Sequence, residues 1–340
     1  MSFRPLLLLV LLAPLLAGCE RPAGAVANQG EQSASATDSA ATDSAATEGE
    51  TIEQPAGTTA AKVLDEMVAA YQGAETYYDN AEYCERHVYQ ADGVEVLPPP
   101  HVMSVAFRRP NCVRIQRNVP AGDGPGLEAT VACDGERYRA FISDLADQSL
   151  DRAAAETLGY DNLMPDEIVA RVLTPVPLDN LYPQLDLLVS TKSAPPKLLA
   201  ETTAKLLTAA EHNGVKCQRV ELSRAGQAWV LWIDQDNHLL RRLDMPTADV
   251  RAALDPSGNL KELALWIDFR DATIGTPLAD SAFAAEFPAS AKPTEKLIAP
   301  GAETDTSEPV DLRAIKAQAA EELNKLRTKA DEQKPEVTEP

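Results

Sequence analysis

Five strand-like segments follow one another with short links between Tyr77 and Ile142, and this succession constrains the fold more than any other feature of the chain. Tyr77–Gln90 is rich in tyrosine and runs into Asp92-Gly93. His101–Arg109 alternates, with His101, Met103, Val105 and Phe107 on one face and Ser104, Ala106 and Arg108 on the other. Val113–Arg117 sets Val113 and Ile115 against Arg114 and Gln116. Residues 127–134 and 137–143 meet at Asp134-Gly135, a strong two-residue hairpin signal. Links this short join antiparallel neighbours, because parallel strands need a crossover of a dozen residues or more.

Helix signals flank these strands. Val63, Leu64, Met67, Val68 and Tyr71 recur at spacings of three and four, which predicts a helix over 60–72 that stops at Gly73. The middle, 150–203, reads as helices; Pro165-Asp166-Glu167 opens one, with proline in the first turn and acids at its positive end. A second strand group follows: Lys205–Ala210 into Val215–Ser223 through Asn213-Gly214, then Ala228–Asp234, Leu239–Asp244 and Leu260–Arg270. Helix through His212 competes for the first of these. Leu-Trp-Ile-Asp occurs at 231–234 and again at 265–268, similar strand chemistry used twice. The order defines an α+β chain: one large curved antiparallel sheet with helices packed on its concave side.

The ends have other compositions. Arg4, the run Leu6–Leu12 and Leu16-Ala17-Gly18-Cys19 have the parts of a secretory signal. The last four resemble the bacterial lipobox, which implies cleavage after Gly18 and lipid on Cys19. Residues 1–18 are thus expected to be a lipoprotein signal peptide, and the protein to sit extracytoplasmically, anchored to a bacterial membrane and facing the periplasm. Several acyl chains make a stable anchor where one is marginal, at ~0.8 kcal/mol per buried CH₂. Residues 19–59 are nearly free of large apolar side chains and repeat Ala-Thr-Asp-Ser-Ala at 36–40 and 41–45. Such a segment cannot offset its chain entropy and is expected to be a disordered tether. Residues 60–300 form the expected globular domain, and 301–340 a charged tail with a helix candidate at 309–333.

The formal net charge is −21. Seven acids against one base lie in 20–60 and ten against six in 301–340; allowing for Arg4, −12 remains for 61–300. An acidic body repels phosphate, so no nucleic acid is expected as a partner. After Cys19 the cysteines are Cys84, Cys112, Cys133 and Cys217. Disulfides are permitted at this address, the pairing is open, and buried thiols are the alternative.

No nucleophile elbow, phosphate loop, dinucleotide fingerprint or His-Glu-x-x-His motif occurs, so no catalytic residue, metal or cofactor is expected. Asp234-Gln235-Asp236-Asn237 lacks the glycine and terminal glutamate of a calcium loop and reads as a strand turn. His87 and His101 lie near Cys84 and Cys112 in sequence, but with no known zinc-finger spacing. What the chain does carry is apolar and aromatic side chains on a sheet, including Tyr77, Tyr83, Tyr138, Trp229, Trp232 and Trp266. Met103, Val105, Phe107, Val113 and Ile115 are the candidate lining of an apolar cavity, with plain core as the alternative.

At this point the chain resembles a known family. Residues 60–297 look like the periplasmic lipoprotein-sorting carriers, the LolA/LolB-like half-barrel family, and especially its divergent extracytoplasmic relatives. The resemblance is carried by Val63-Leu64-Asp65-Glu66-Met67-Val68, by Phe107-Arg108-Arg109-Pro110-Asn111-Cys112-Val113-Arg114-Ile115, and by Cys133-Asp134-Gly135. Asn213-Gly214-Val215-Lys216-Cys217, Trp232-Ile233-Asp234 before Leu239-Leu240-Arg241-Arg242-Leu243, and a closing strand at Phe287–Pro293 complete it. It implies an incomplete antiparallel β-barrel closed by helices, with a cavity that shields acyl chains, and a non-catalytic binder of acyl chains, a lipoprotein or another apolar ligand. Cys19 favours the anchored type. The alternative is a structural or interaction lipoprotein whose core is filled by its own helices.

Overall fold

Helix α1, Ala60–Gly73, begins at a capped end: the Thr59 hydroxyl accepts the Lys62 amide at 3.2 Å, satisfying one donor that a helix start leaves unpaired. Its predicted face is its buried face, formed by Val63, Leu64, Met67 and Tyr71. The structure, a computed structural model, describes residues 55, 57–90, 93–120, 126–173, 182–255 and 258–299. The leader with Cys19, the tether as far as Gln54 and the charged tail lie outside the described residues.

Seven strands follow: β1 (Thr76–Tyr89), β2 (Glu95–Val96), β3 (His101–Arg108), β4 (Cys112–Val119), β5 (Leu127–Asp134), β6 (Arg137–Ile142) and β7 (Gln148–Ala153). Three short helices, α2 (Tyr160–Leu163), α3 (Glu167–Leu173) and α4 (Pro183–Val189), lead to β8 (Thr203–His212), β9 (Val215–Arg224), β10 (Gln227–Asp234) and β11 (Leu240–Met245). Helix α5 (Ala248–Leu254), β12 (Leu260–Phe269), β13 (Thr273–Ile274) and β14 (Lys292–Thr294) complete the described chain.

All fourteen strands form one sheet in the order β14-β7-β6-β5-β4-β3-β1-β12-β11-β10-β9-β8, with β2 and β13 also paired to β1. Each neighbour in this path is antiparallel except β14, which runs parallel to β7. Two meanders, β3–β7 and β8–β12, therefore meet at β1, whose two edges hold β3 and β12. The path has two ends and does not close, so the architecture is an α+β incomplete barrel.

The turns follow their residues. Asn213 (φ 51°) and Gly214 (φ 79°) both take the left-handed backbone that a two-residue hairpin requires between β8 and β9. Between β5 and β6 the Asp134 carboxylate accepts the amides of Glu136 and Arg137 at 3.0 and 2.8 Å, and Gly135 sits at φ 101°. A Cβ there would meet Asn111 Oδ1 at 3.3 Å. Asp234-Gln235-Asp236-Asn237 is the strand turn expected of it: Asp234 Oδ1 accepts the Asp236 amide and Asn237 Oδ1 the Leu239 amide.

Two regions differ from the sequence expectation. The helical middle starts late, because Gln148–Ala153 pairs with β6 as β7 and sends Leu150 into the core while Arg137 and Asp151 form an ion pair at 2.6 Å. At Phe287–Pro293 only the last residues join the sheet, as β14. The competing helix through His212 is not formed; Thr203–His212 is a strand. The larger of two core clusters among the described residues runs through both meanders and takes in α1, α3 and α4.

Candidate ligand-binding face

Strand pairing gathers the five candidate lining residues on one face. Val105 lies opposite Ile115, Phe107 opposite Val113, and Met103 opposite Arg117. All five are buried. The same face continues through Val131 and Cys133 on β5, Tyr138, Ala140 and Ile142 on β6, and Leu150 on β7. Across β1 it extends to Ile267 and Leu265 on β12, then Leu243 and Leu231 on the strands beyond. Helices cover this inner face: α3 packs on β5, and α1 packs against α4, β8 and β9.

Helix α4 buries all seven of its residues, including Gln184 and Asp186. Both of its polar side chains make a hydrogen bond. Gln184 Nε2 donates to Asp79 Oδ2 at 3.1 Å, and the Leu198 amide donates to Asp186 Oδ2 at 2.8 Å. At its far end the Leu188 carbonyl accepts from Arg109 Nη2 at 2.8 Å. The same guanidinium holds the carbonyls of Ala74 and Gln72 at the end of α1, so one arginine fills the negative ends of two helices.

The inner face is not wholly apolar. Asp79, on β1 opposite Val105, is fully buried, and its Oδ2 accepts from the Tyr77 hydroxyl at 2.7 Å. Burial pushes its carboxyl up to about 7, partly offset by the hydrogen bonds from Tyr77 and Gln184. Farther along, Arg117, Tyr83, His101, Glu85 and His87 make a second polar group. His101 stacks on Tyr83 with ring centroids 5.5 Å apart, and His87 Nε2 lies 3.0 Å from Glu85 Oε2. Burial, with the Arg117 charge adding to it, pulls the His101 imidazole down to about 4, so it is neutral at neutral pH.

Asp79, Arg117 and Gln184 are functional candidates that the sequence expectation left out. For two of them the signal was present: Tyr77-Asp79-Ala81-Tyr83 and Val113-Ile115-Arg117 each continue an alternation whose other members are apolar. Gln184 gave no such sign, because its burial depends on where α4 is laid. Conversely, Trp232 and Trp266 belong to the outer face. Each sits one residue off the apolar alternation of its strand, and their indole N–H groups donate to Asp244 at 2.8 Å and Asp268 at 3.0 Å.

The four described cysteines are free thiols. Cys112 and Cys133 sit on neighbouring strands but on opposite faces, since Cys133 pairs with inward Val113. Burial pushes the Cys84 and Cys217 thiols up to about 12, which removes thiolate reactivity at neutral pH. Among the described residues no group of three or more His, Cys, Asp or Glu side chains is placed to hold a metal ion. Nor, among them, is any helix long and apolar enough to cross a membrane.

A family model described as a predicted periplasmic protein (DUF2092) matches residues 162–295. No curated protein matches the chain in sequence. Solved structures similar to it include a LolA superfamily protein from Nitrosomonas europaea, at 13% identity over 67% of this chain and 98% of that one, with a TM-score of 0.27. An outer membrane lipoprotein-sorting protein domain from Vibrio parahaemolyticus matches at 10% identity over 65% of this chain and 94% of that one, TM-score 0.28. The MucA/MucB complex of Pseudomonas aeruginosa matches at 13% identity over 67% of this chain, TM-score 0.33, and the chain spans 61% of that one.

Proposed function

We propose that the protein is a periplasmic lipoprotein, anchored through Cys19, that binds acyl chains or another apolar ligand on the inner face of its half-barrel without catalysis. The observation that carries this reading is the closure of that face. A continuous apolar surface of an open sheet is covered by short helices instead of a second sheet, and displacing the seven-residue α4 uncovers the part around β1 and β3. The description of the matching family as periplasmic and the sorting role in the name of a similar domain accord with it.

Two measurements test it. The full chain carrying Cys19→Ser, purified without detergent, should release co-purified lipid in native mass spectrometry and bind a fluorescent fatty-acid probe in a saturable way. A folded protein that does neither overturns ligand binding. Wild-type protein should fractionate with membranes and the Cys19→Ser chain should not; a correctly cleaved variant that stays on membranes overturns the anchor.

A second reading has an observation of its own. With every residue of α4 buried, the concavity is filled by the chain itself, as a structural or protein-interaction lipoprotein would require. Absence of probe binding by folded protein selects it.

A further inference from the structure

Arg117 is 2% exposed, the largest of the fully buried side chains, and it projects from the inner face between Met103 on β3 and Ala129 on β5. Among the described residues no carboxylate forms an ion pair with it. One Nη1 hydrogen bond goes to the Val172 carbonyl in the last turn of α3, and among the described residues Nε has no partner. The nearest ionisable groups do not balance its charge. His101 is neutral at neutral pH, and its own Nδ1 lacks a partner. The Glu85 carboxylate is taken up by His87 and Tyr83. Tyr182, whose ring is buried near the same guanidinium, is held in its protonated form by burial.

A buried guanidinium with one neutral acceptor is costly. Removing such an ion from water costs several kcal/mol, and a single backbone carbonyl does not return that. A cation at the end of a short helix needs no such depth, since an exposed lysine or arginine serves there. The unpaired Nε–H of Arg117 and the unpaired Nδ1 of His101 lie on the same face as Met103, Val105 and Phe107, one step along the sheet from them.

We infer that Arg117 is the head-group site of the ligand face: the ligand is an amphiphile whose apolar chain lies on the Met103–Phe107 stripe and whose carboxylate or phosphate is received by Arg117, with His101 as a second donor. This rests on the ligand-binding reading above and narrows it from any apolar ligand to an anionic one. A planar guanidinium with an unpaired Nε–H matches an oxyanion in shape and charge, and the low dielectric around it strengthens the bond.

The test compares dansylamino-undecanoic acid with its methyl ester, which differ only in head-group charge, on the full chain carrying Cys19→Ser. The acid should bind about tenfold tighter or more, the worth of one charge-assisted hydrogen bond. Arg117→Met, which removes the charge but keeps bulk and flexibility, should bring the two affinities together by weakening the acid far more than the ester. Arg117→Lys should keep part of the preference. If Arg117→Met does not fold, the acid-to-ester ratio of wild type and of Arg117→Lys decides. Displacement by dodecyl phosphate or by dodecanoate, whichever is stronger, identifies the head group. Equal binding of acid and ester by wild type overturns the anionic site and leaves the apolar-ligand reading standing; binding of neither overturns both.

Discussion

Gln184 on α4 and Asp79 on β1 are joined by a 3.1 Å hydrogen bond, both side chains at 0% exposure, and among the described residues Gln184 Oε1 has no partner of its own. An acceptor oxygen left unpaired beside a buried carboxyl is what an added proton would remedy. This contact fastens α4 to the sheet beside Val105, so its protonation state bears on how firmly the inner face is covered.

The sign of the pH dependence follows from the raised carboxyl. Asp79 titrates about 7 when folded against an ordinary 3.8, so its protonated form contributes stability that is fully present below pH 3.8 and lost as pH rises through 7. Asp271 adds to the shift by repulsion. Asp79→Asn removes the titration. The melting temperature of wild type relative to Asp79→Asn should therefore fall steadily between pH 4 and pH 8 (approximate bounds). Parallel melting curves for the two proteins across that range would refute the assignment.

Arg109 links α1 to α4 through the carbonyls of Ala74, Gln72 and Leu188, with its guanidinium 5.4 Å from the Phe107 ring centroid. Arg109→Ala should cost about 3 kcal/mol in urea unfolding, since charge-assisted bonds of this kind contribute roughly 1.5–3 kcal/mol each and water replaces some of them. Arg109→Lys should recover only part, because an ammonium cannot span carbonyls on two helices as a planar fork does. Amide exchange should quicken at the C-terminal turns of α1 and α4 together. Quickening in one helix alone would show that the arginine does not couple them.

His212 Nε2 lies 2.9 Å from Asp268 Oδ1 on the outer face, and Arg242 Nη1 lies 3.9 Å from the same oxygen. Burial works against the Asp268 carboxylate, but the His212 bond and charge, the Trp266 indole and Arg242 outweigh it and hold the carboxyl below its ordinary value. A lowered carboxyl contributes stability that is present above the ordinary 3.8 and lost as pH falls through the folded value. Asp268→Asn should thus destabilise at pH 6 and cost progressively less on acidification below about pH 4. A constant difference across that window would mean the carboxylate is not favoured there.

How much of this was legible in the sequence depends on what set each feature. Alternation at 101–107 and 113–115 put these side chains on one face, as the strand pairing does, because a pleated strand fixes which side chains share a face. The Asn213-Gly214 and Asp134-Gly135 turns were legible because their backbone needs positive φ there. β7 was not, since it pairs with β6 and β14 at a sheet end, where a short mixed segment gives no period, and β14 was reached in part only through the family resemblance. The polar groups on the inner face were obscured for a different reason. Asp79 and Arg117 interrupt apolar stripes and look like surface residues until the burial of both neighbours is known, and their partners, Gln184 and Val172, come from helices far along the chain.

Val105 separates the two readings of the inner face in its resting state. It is 0% exposed, with Asp79 and Ile115 as its cross-strand neighbours. Val105→Ala should lower stability by about 2 kcal/mol, the loss of two buried methyl groups plus the space they leave, with the fold retained. Val105→Glu should unfold the domain, because its carboxylate would lie beside the Asp79 carboxyl and have no cation to pair with in that row. Far-ultraviolet circular dichroism beside the fatty-acid probe assay reads both outcomes. If Val105→Glu folds and only probe binding is lost, Val105 faces open space even without ligand, and α4 does not close over it. If it unfolds while Val105→Ala still binds probe, the face is core until a ligand displaces the helix, which is the behaviour a seven-residue cover held by Gln184 and Arg109 allows.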